Sequence, residues 1–313
     1  MKRNRLALFS AGLAGLTGLS LATAAAAATP VTILANRIPH HGVPSARIAS
    51  ELGTYFDLDS YRAVKAQPIY DANGHPDHLL VYLFQKGQHR VELAKVTLGD
   101  HYELQAVERD YHLQPADTQQ QPGLAVQNIR CPDDTVEFLA VAPNDDQLEL
   151  DITRDVAAAA KAKGLVTVEL LTTQATRQNY LSYMTCPNLR GNFYDGDADP
   201  ELITTSDGVI SADDLQAALT HKFAYKVTNI WLACEAFNDP MLSTMIDQVQ
   251  SRKYAAGIND LEVGPSDRAA ACAMKDALDG QPMTAAFQSC KDQLDSGEDQ
   301  WGFDGHGSDN FWD

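Results

Sequence analysis

The chain has 313 residues, and its 42 acidic and 24 basic side chains give a formal net charge of −18. A surface this acidic repels phosphate backbones and anionic lipid, so we expect neither nucleic acid nor a membrane surface as a partner. Hydrophobic residues make up 44% of the chain, as in ordinary globular proteins, and the length suits about two domains.

Residues 1–28 have the pattern of a secretory signal peptide. Three cations among the first five residues precede the apolar stretch 6–21, and an alanine-rich segment follows. Ala26 and Ala28 fit the small-x-small rule, so we place cleavage near Ala28 and predict a secreted or periplasmic protein. The alternative is an uncleaved anchor. No later apolar run is long enough to span a bilayer, so we predict no membrane segment once the signal is removed.

Residues 29–113 predict a small α+β module. A helix is expected over 44–58, and hairpin signals such as Asn73-Gly74 and Lys86-Gly87 then separate four strands. The strands are predicted at 61–70, 79–84, 91–96 and 102–108. A helix on an antiparallel sheet is typical of the α+β class. The polar, proline-bounded segment 114–123 predicts a linker after this module.

Residues 124–296 alternate strands and helices, which predicts an α/β domain with a mostly parallel sheet and helices on both faces. Strands are predicted at 135–141, 165–171, 191–194, 227–233 and 254–258. Helices are predicted at 148–163, 175–184, from Ser211 onward, and at 239–250, 267–278 and 283–294. Ligands and chemistry collect at the carboxyl ends of the strands in such sheets. Residues 297–313 form a tail rich in glycine and aromatic residues.

Five cysteines lie in the second half: Cys131, Cys186, Cys234, Cys272 and Cys290. Cysteines pair in an oxidising compartment, and five leave one over. Sequence separation favours Cys272 with Cys290 and Cys131 with Cys186, which leaves Cys234 free. The alternative is that a different cysteine is spare and buried.

Cys234 stands where the predicted strand 227–233 stops. A thiol at this edge of the sheet can be exposed near the N-terminus of the next helix, whose dipole favours the thiolate. The alternative is a buried structural cysteine, because free cysteines are among the most buried residues.

Two motifs flank this strand: Asp213-Asp214-Leu215 at a helix start and Ala233-Cys234-Glu235 at the strand end. Their order within residues 135–278 resembles the core of the caspase and legumain-type cysteine peptidases. The resemblance implies that Cys234 takes the nucleophile position. It also implies that backbone N–H groups near Cys234 and Ala198 hold the oxyanion.

The chain departs from this family where the base is expected. The His-Gly pair of the family falls on Asp197-Ala198, and a carboxylate raises the pKa of a thiol where an imidazolium lowers it. One hypothesis is therefore a degenerate, non-peptidase relative that binds a ligand, such as a protein or peptide, at the strand-end rim. The other is an active secreted cysteine endopeptidase with Cys234 as nucleophile and His306, in the tail, as a relocated base. In the first hypothesis His306 is solvated and the tail packs as a lid.

Asp195, Asp197 and Asp199 alternate after the predicted strand 191–194. A turn would wrap the three carboxylates around a calcium ion, the one cofactor that the sequence suggests. The alternative is a solvated acidic loop. A standard twelve-residue calcium loop is excluded because Pro200 stands where its glycine is required. Four histidines of the first half have no partners at a defined spacing, and we interpret them as surface residues: His40, His41, His75 and His78.

Overall fold

The computed structural model describes most of both predicted domains. The described residues are 31–33, 45–71, 73, 75–99, 103–114, 117, 129–219, 227–249, 251, 253–294, 300–305 and 310–312. The predicted signal peptide, most of the predicted linker, His40, His41 and His306 lie outside them.

The first module is a five-stranded sheet with one helix. The strands, in sheet order, are β1 (Val31–Ile33), β2 (Tyr61–Tyr70), β3 (Pro76–Gln85), β4 (Val91–Leu98) and β5 (Leu104–Glu108). Strand β1 is parallel to β2, and the other neighbours are antiparallel. Helix α1 (Ser45–Tyr55) buries Ile48 and Leu52 against one face of the sheet. The predicted helix and four strands are therefore present, and β1 is an addition.

The second half is built on a six-stranded, mostly parallel sheet. Its strands are β6 (Phe138–Ala142), β7 (Thr167–Leu171), β8 (Gly191–Asp195), β12 (Thr228–Leu232), β13 (Lys253–Gly257) and β14 (Trp301–Gly305). The order is β14-β13-β12-β8-β6-β7, and only β14 is antiparallel to its neighbour. The tail therefore supplies an edge strand of the sheet through Trp301–Gly305, rather than a lid over it.

Helices cover both faces of this sheet, as the alternating pattern predicts. They are α2 (Gln147–Ala162), α3 (Arg177–Met184), α4 (Ala212–Leu219), α5 (Met241–Ser243, continued by a π-helix at Thr244–Gln248), α6 (Pro265–Leu278) and α7 (Met283–Leu294). Along β12, Trp231 packs in the core on the side of α3, α4 and α5, while Ile230 and Leu232 pack on the side of α2, α6 and α7. This alternation is the period of two that a strand imposes.

A small antiparallel sheet joins the two halves. It consists of β9 (Ala198–Asp199), β10 (Leu202–Thr205) and β11 (Gly208–Ser211). Leu202 and Val209 from this sheet pack against Leu80, Tyr82 and Leu93 on the face of the first sheet that α1 leaves uncovered. This contact sets the turn between β3 and β4 against the carboxyl ends of the parallel strands.

Both disulfides follow the predicted pairing. Cys131 bonds Cys186, and Cys272 bonds Cys290. Cys234 is the free cysteine, and it is buried. None of the helices in the described ranges has the length and apolar character needed to cross a membrane.

Candidate functional site

The turn between β3 and β4, residues 86–90, crosses the carboxyl ends of β8, β12 and β13. Gln88 forms a bridge with Glu262. The backbone N–H of His89 donates to the carbonyl of Leu261 at 3.1 Å, and that of Val263 donates to the carbonyl of Gly87 at 3.0 Å. The first module therefore contributes a main-chain segment to the rim of the second.

The carbonyl oxygen of His89 accepts two hydrogen bonds at this rim. The N–H of Cys234 donates to it at 3.0 Å, and the N–H of Ala198 donates to it at 3.3 Å. These are the two N–H groups to which the family resemblance assigns the oxyanion. They converge on one oxygen atom, which the protein's own turn supplies.

The Cys234 thiol follows β12 but has no exposed surface. Its sulfur accepts the N–H of Leu261 at 3.0 Å. Burial raises the pKa of the thiol well above its ordinary value, and the charges of Asp260 and Asp197 act in the same direction. Of the two alternatives for Cys234, the structure shows the buried cysteine and not the thiol exposed at the sheet edge, and burial disfavours the thiolate.

Asp197, which the resemblance places at the histidine position of the peptidases, is also fully buried. One carboxylate oxygen pairs with the Arg62 guanidinium, and the other accepts the Asn144 side-chain amide at 2.8 Å. Arg62 lies on β2 and also pairs with Glu149 at 2.8 Å. The carboxylate of Asp197 is thus committed to an ion pair between the two modules.

The three aspartates proposed for calcium do not form one ligand set. Asp199 accepts the N–H groups of Glu201 at 2.7 Å and Leu202 at 3.0 Å, so it stabilises a tight turn. Burial raises its pKa to about 7. Asp195 ends β8 beneath the 86–90 turn, while Asp197 pairs with Arg62. Within the described ranges, the groups of metal-ligating side chains close enough to share an ion do not include this trio.

His89 is the site residue that sequence reasoning missed. Its ring is fully buried, with Nε2 3.1 Å from an oxygen of Asp267 and Nδ1 3.9 Å from an oxygen of Glu149. Burial by itself lowers the pKa of His89, but the charges of Asp267, Glu149 and Asp197 outweigh this effect and raise it to about 9. Asp267 is 178 residues away in the chain, so no local pattern distinguishes this histidine.

The interpretation of His78 as a surface residue is also wrong. Its side chain is 6% exposed, and its ring nitrogens lie 2.8 Å from Asp77 and 3.2 Å from Asp117. His75, by contrast, is exposed as expected, with 67% of its side chain accessible. Both flank the hairpin between β2 and β3, where the strand pattern alone does not distinguish the buried ring from the exposed one.

An open cleft of about 630 Å³ lies beside the strand ends that the 86–90 turn covers. Arg62 and Lys65 of β2 line one side of it, and Asn144 and Thr172, which follow β6 and β7, line the other. The ammonium of Lys65 donates to the carbonyl of Thr205 at 3.3 Å and lies 4.9 Å from the centre of the Phe84 ring. This cleft therefore sits at carboxyl ends of parallel strands, where ligands commonly bind.

No protein-family model matches the chain, and no curated protein matches it. Its function is therefore inferred from the chemistry of the rim and of the cleft beside it.

Proposed function

We propose that the protein is an exported non-peptidase with a caspase/legumain-like second domain, and that it binds a ligand at the strand-end rim. The observation that carries this proposal is the position of the His89 carbonyl. It accepts both N–H groups, from Cys234 and Ala198, that a peptidase of this family would offer to a substrate oxygen. A peptide carbonyl can accept these two hydrogen bonds only after the 86–90 turn has moved away from the strand ends.

The side chains around the thiol support the loss of peptidase chemistry. A cysteine nucleophile needs a base within hydrogen-bond reach and a lowered pKa. Here the sulfur contacts the backbone N–H and carbonyl of Leu261, and burial raises its pKa. The buried imidazole of His89 pairs with Asp267. Asp197, which stands where the family has histidine, is held by Arg62 and Asn144.

The open cleft is the part of the rim that remains for a ligand. The guanidinium of Arg62 already pairs with two buried carboxylates, Glu149 and Asp197. Lys65 donates one hydrogen bond, to Thr205, and an ammonium carries three N–H donors. Asp145 and Asp146 also line the cleft, so an anionic ligand has to reach Lys65 directly. We assign to the cleft a ligand that binds Lys65 through a single carboxylate group, either a small acid or the acidic end of a peptide.

The reactivity of the thiol tests the first part of the proposal. We expect iodoacetamide to leave the native protein unlabelled, because Cys234 has no exposed surface. The urea-unfolded, non-reduced protein should take one label, since the other four cysteines are in disulfides. The Cys234→Ala variant should take none in either state. Rapid labelling of native Cys234 together with peptide cleavage would show a working peptidase instead.

Ligand binding in the cleft is tested by thermal unfolding with glutarate and with a short peptide ending in glutamate. We expect either the small acid or the peptide to raise Tm, and Lys65→Met to remove that rise. Lys95→Met is the matched control, because the ammonium of Lys95 also lies over an aromatic ring, that of Tyr111 at 5.1 Å, but outside the cleft. An equal Tm rise in the native protein and in Lys65→Met would contradict the assignment of Lys65.

A latent peptidase is the second candidate, because the donors of Cys234 and Ala198 already bind a peptide carbonyl. This candidate predicts that a tryptic cut after the exposed Lys86 releases the turn and makes Cys234 reactive toward a peptide-directed thiol probe. It also predicts that His306→Ala abolishes the activity so released. A cut protein that stays unlabelled would exclude it.

A further inference from the structure

Three side chains from distant parts of the chain meet beneath the 86–90 turn: His89 from the turn, Asp195 from the end of β8, and Asp267 from the first turn of α6. Each is fully buried. One ligand atom from each lies within 4.8 Å of the other two. We propose that these three residues bind a divalent transition-metal ion such as zinc, at a site separate from the open cleft.

Unpaired oxygen atoms are the first support for this site. Oδ1 of Asp195 and Oδ1 of Asp267 are buried and have no hydrogen-bond partner. Oδ2 of Asp195 has only a long contact, 3.5 Å, with the hydroxyl of Thr153. A buried carboxylate oxygen without a partner is costly, and a cation removes that cost by binding it directly.

The balance of charge is the second support. Glu149 lies beside the cluster, so three buried carboxylates surround the single imidazole of His89. The nearby guanidinium of Arg62 pairs with Glu149 and Asp197, and not with Asp195 or Asp267. A divalent ion would add the positive charge that balances these buried carboxylates.

The donor set indicates which ion fits. One imidazole nitrogen and two carboxylate oxygens are ligands that zinc accepts, whereas calcium takes six to eight oxygen ligands. Nδ1 of His89 has no hydrogen-bond partner and lies 3.9 Å from an oxygen of Glu149, while Nε2 faces Asp267. Metal-bound histidines usually donate their second N–H to a carboxylate, and Glu149 lies on that side of the ring, beyond hydrogen-bond distance.

Zinc content after refolding tests the site. Because the three ligands have no exposed surface, the disulfide-intact protein is unfolded in urea with a chelator, refolded with zinc and freed of unbound metal. We expect one zinc ion per chain by elemental analysis. We also expect a Tm rise of about 5–10 °C at a zinc concentration one hundred times Kd.

Asp195→Asn keeps the shape of the side chain and should lose both the bound zinc and the Tm rise. Asp199→Asn is the matched control, since Asp199 is a half-buried aspartate of the same loop that lies outside the cluster, and it should keep both. Asp267→Asn should also lose zinc. This second ligand variant keeps the test decisive if Asp195→Asn fails to fold. Native protein that refolds without zinc, or Asp195→Asn protein that keeps it, would overturn the site.

Discussion

Replacing Arg62 with methionine removes the cation shared by Glu149 and Asp197. Both carboxylate side chains have no exposed surface, and that of Arg62 is 20% exposed. Breaking a buried ion pair by removing one partner costs about 3–5 kcal/mol, because a buried charge is left unpaired. Asn144 still donates to Glu149 at 2.9 Å and to Asp197 at 2.8 Å. We therefore expect the lower end, a loss of about 3 kcal/mol in the free energy of unfolding.

Urea unfolding followed by tryptophan fluorescence measures this loss. Arg154→Met is the control, since Arg154 and its partner Asp151 are 48% and 62% exposed, and such a pair contributes less than about 1 kcal/mol. Adding Asp197→Asn to Arg62→Met should recover part of the lost stability, because one unpaired charge is then absent. A loss below about 1 kcal/mol for Arg62→Met would refute the assignment of a buried, desolvated pair.

Three further predictions concern stability. The pKa of His89 is raised from 6.5 to about 9, so its charged form stabilises the metal-free protein fully below pH 6.5, and this stabilisation is lost as the pH rises through 9. Urea titrations should show that the free energy of unfolding falls by about 3 kcal/mol over this pH range in the native protein and not in His89→Gln. Parallel plots of this free energy against pH for the two proteins would contradict the prediction. Replacing Cys131 and Cys186 by alanine removes a disulfide with a separation of 55 residues and should lower the free energy of unfolding by about 4 kcal/mol. Removing the Cys272–Cys290 disulfide, with its separation of 18 residues, should cost less. The reverse order would count against chain entropy as the cause. Gly302→Ala places a methyl group against the ring of Phe237 and should lower stability by about 1–3 kcal/mol, with partial rescue by Phe237→Leu; an unchanged Tm would show that the ring moves freely.

Local patterns were sufficient for most elements of this fold. The apolar run along 227–233 and the glycine turn at Gly87 depend on neighbouring residues, so they are visible in the sequence, whereas β1, β9–β11 and β14 were not predicted. The disulfide pairing was also predicted, since Cys272 and Cys290 are only 18 residues apart. The position of Cys234 at the end of a parallel strand followed from the same patterns.

The chemistry of the rim depended on contacts between residues far apart in the chain. His89 meets Asp267 across 178 residues, and Arg62 meets Asp197 across 135. These contacts form because the first sheet packs on the hairpin of β10 and β11, which brings the 86–90 turn over the parallel strands. The amino-acid sequence by itself therefore determined most of the strands and the helices, and it favoured Cys234 as the free thiol. Only tertiary packing decided that the thiol is buried and which charges lie beside it, because burial and desolvation are properties of the assembled domains.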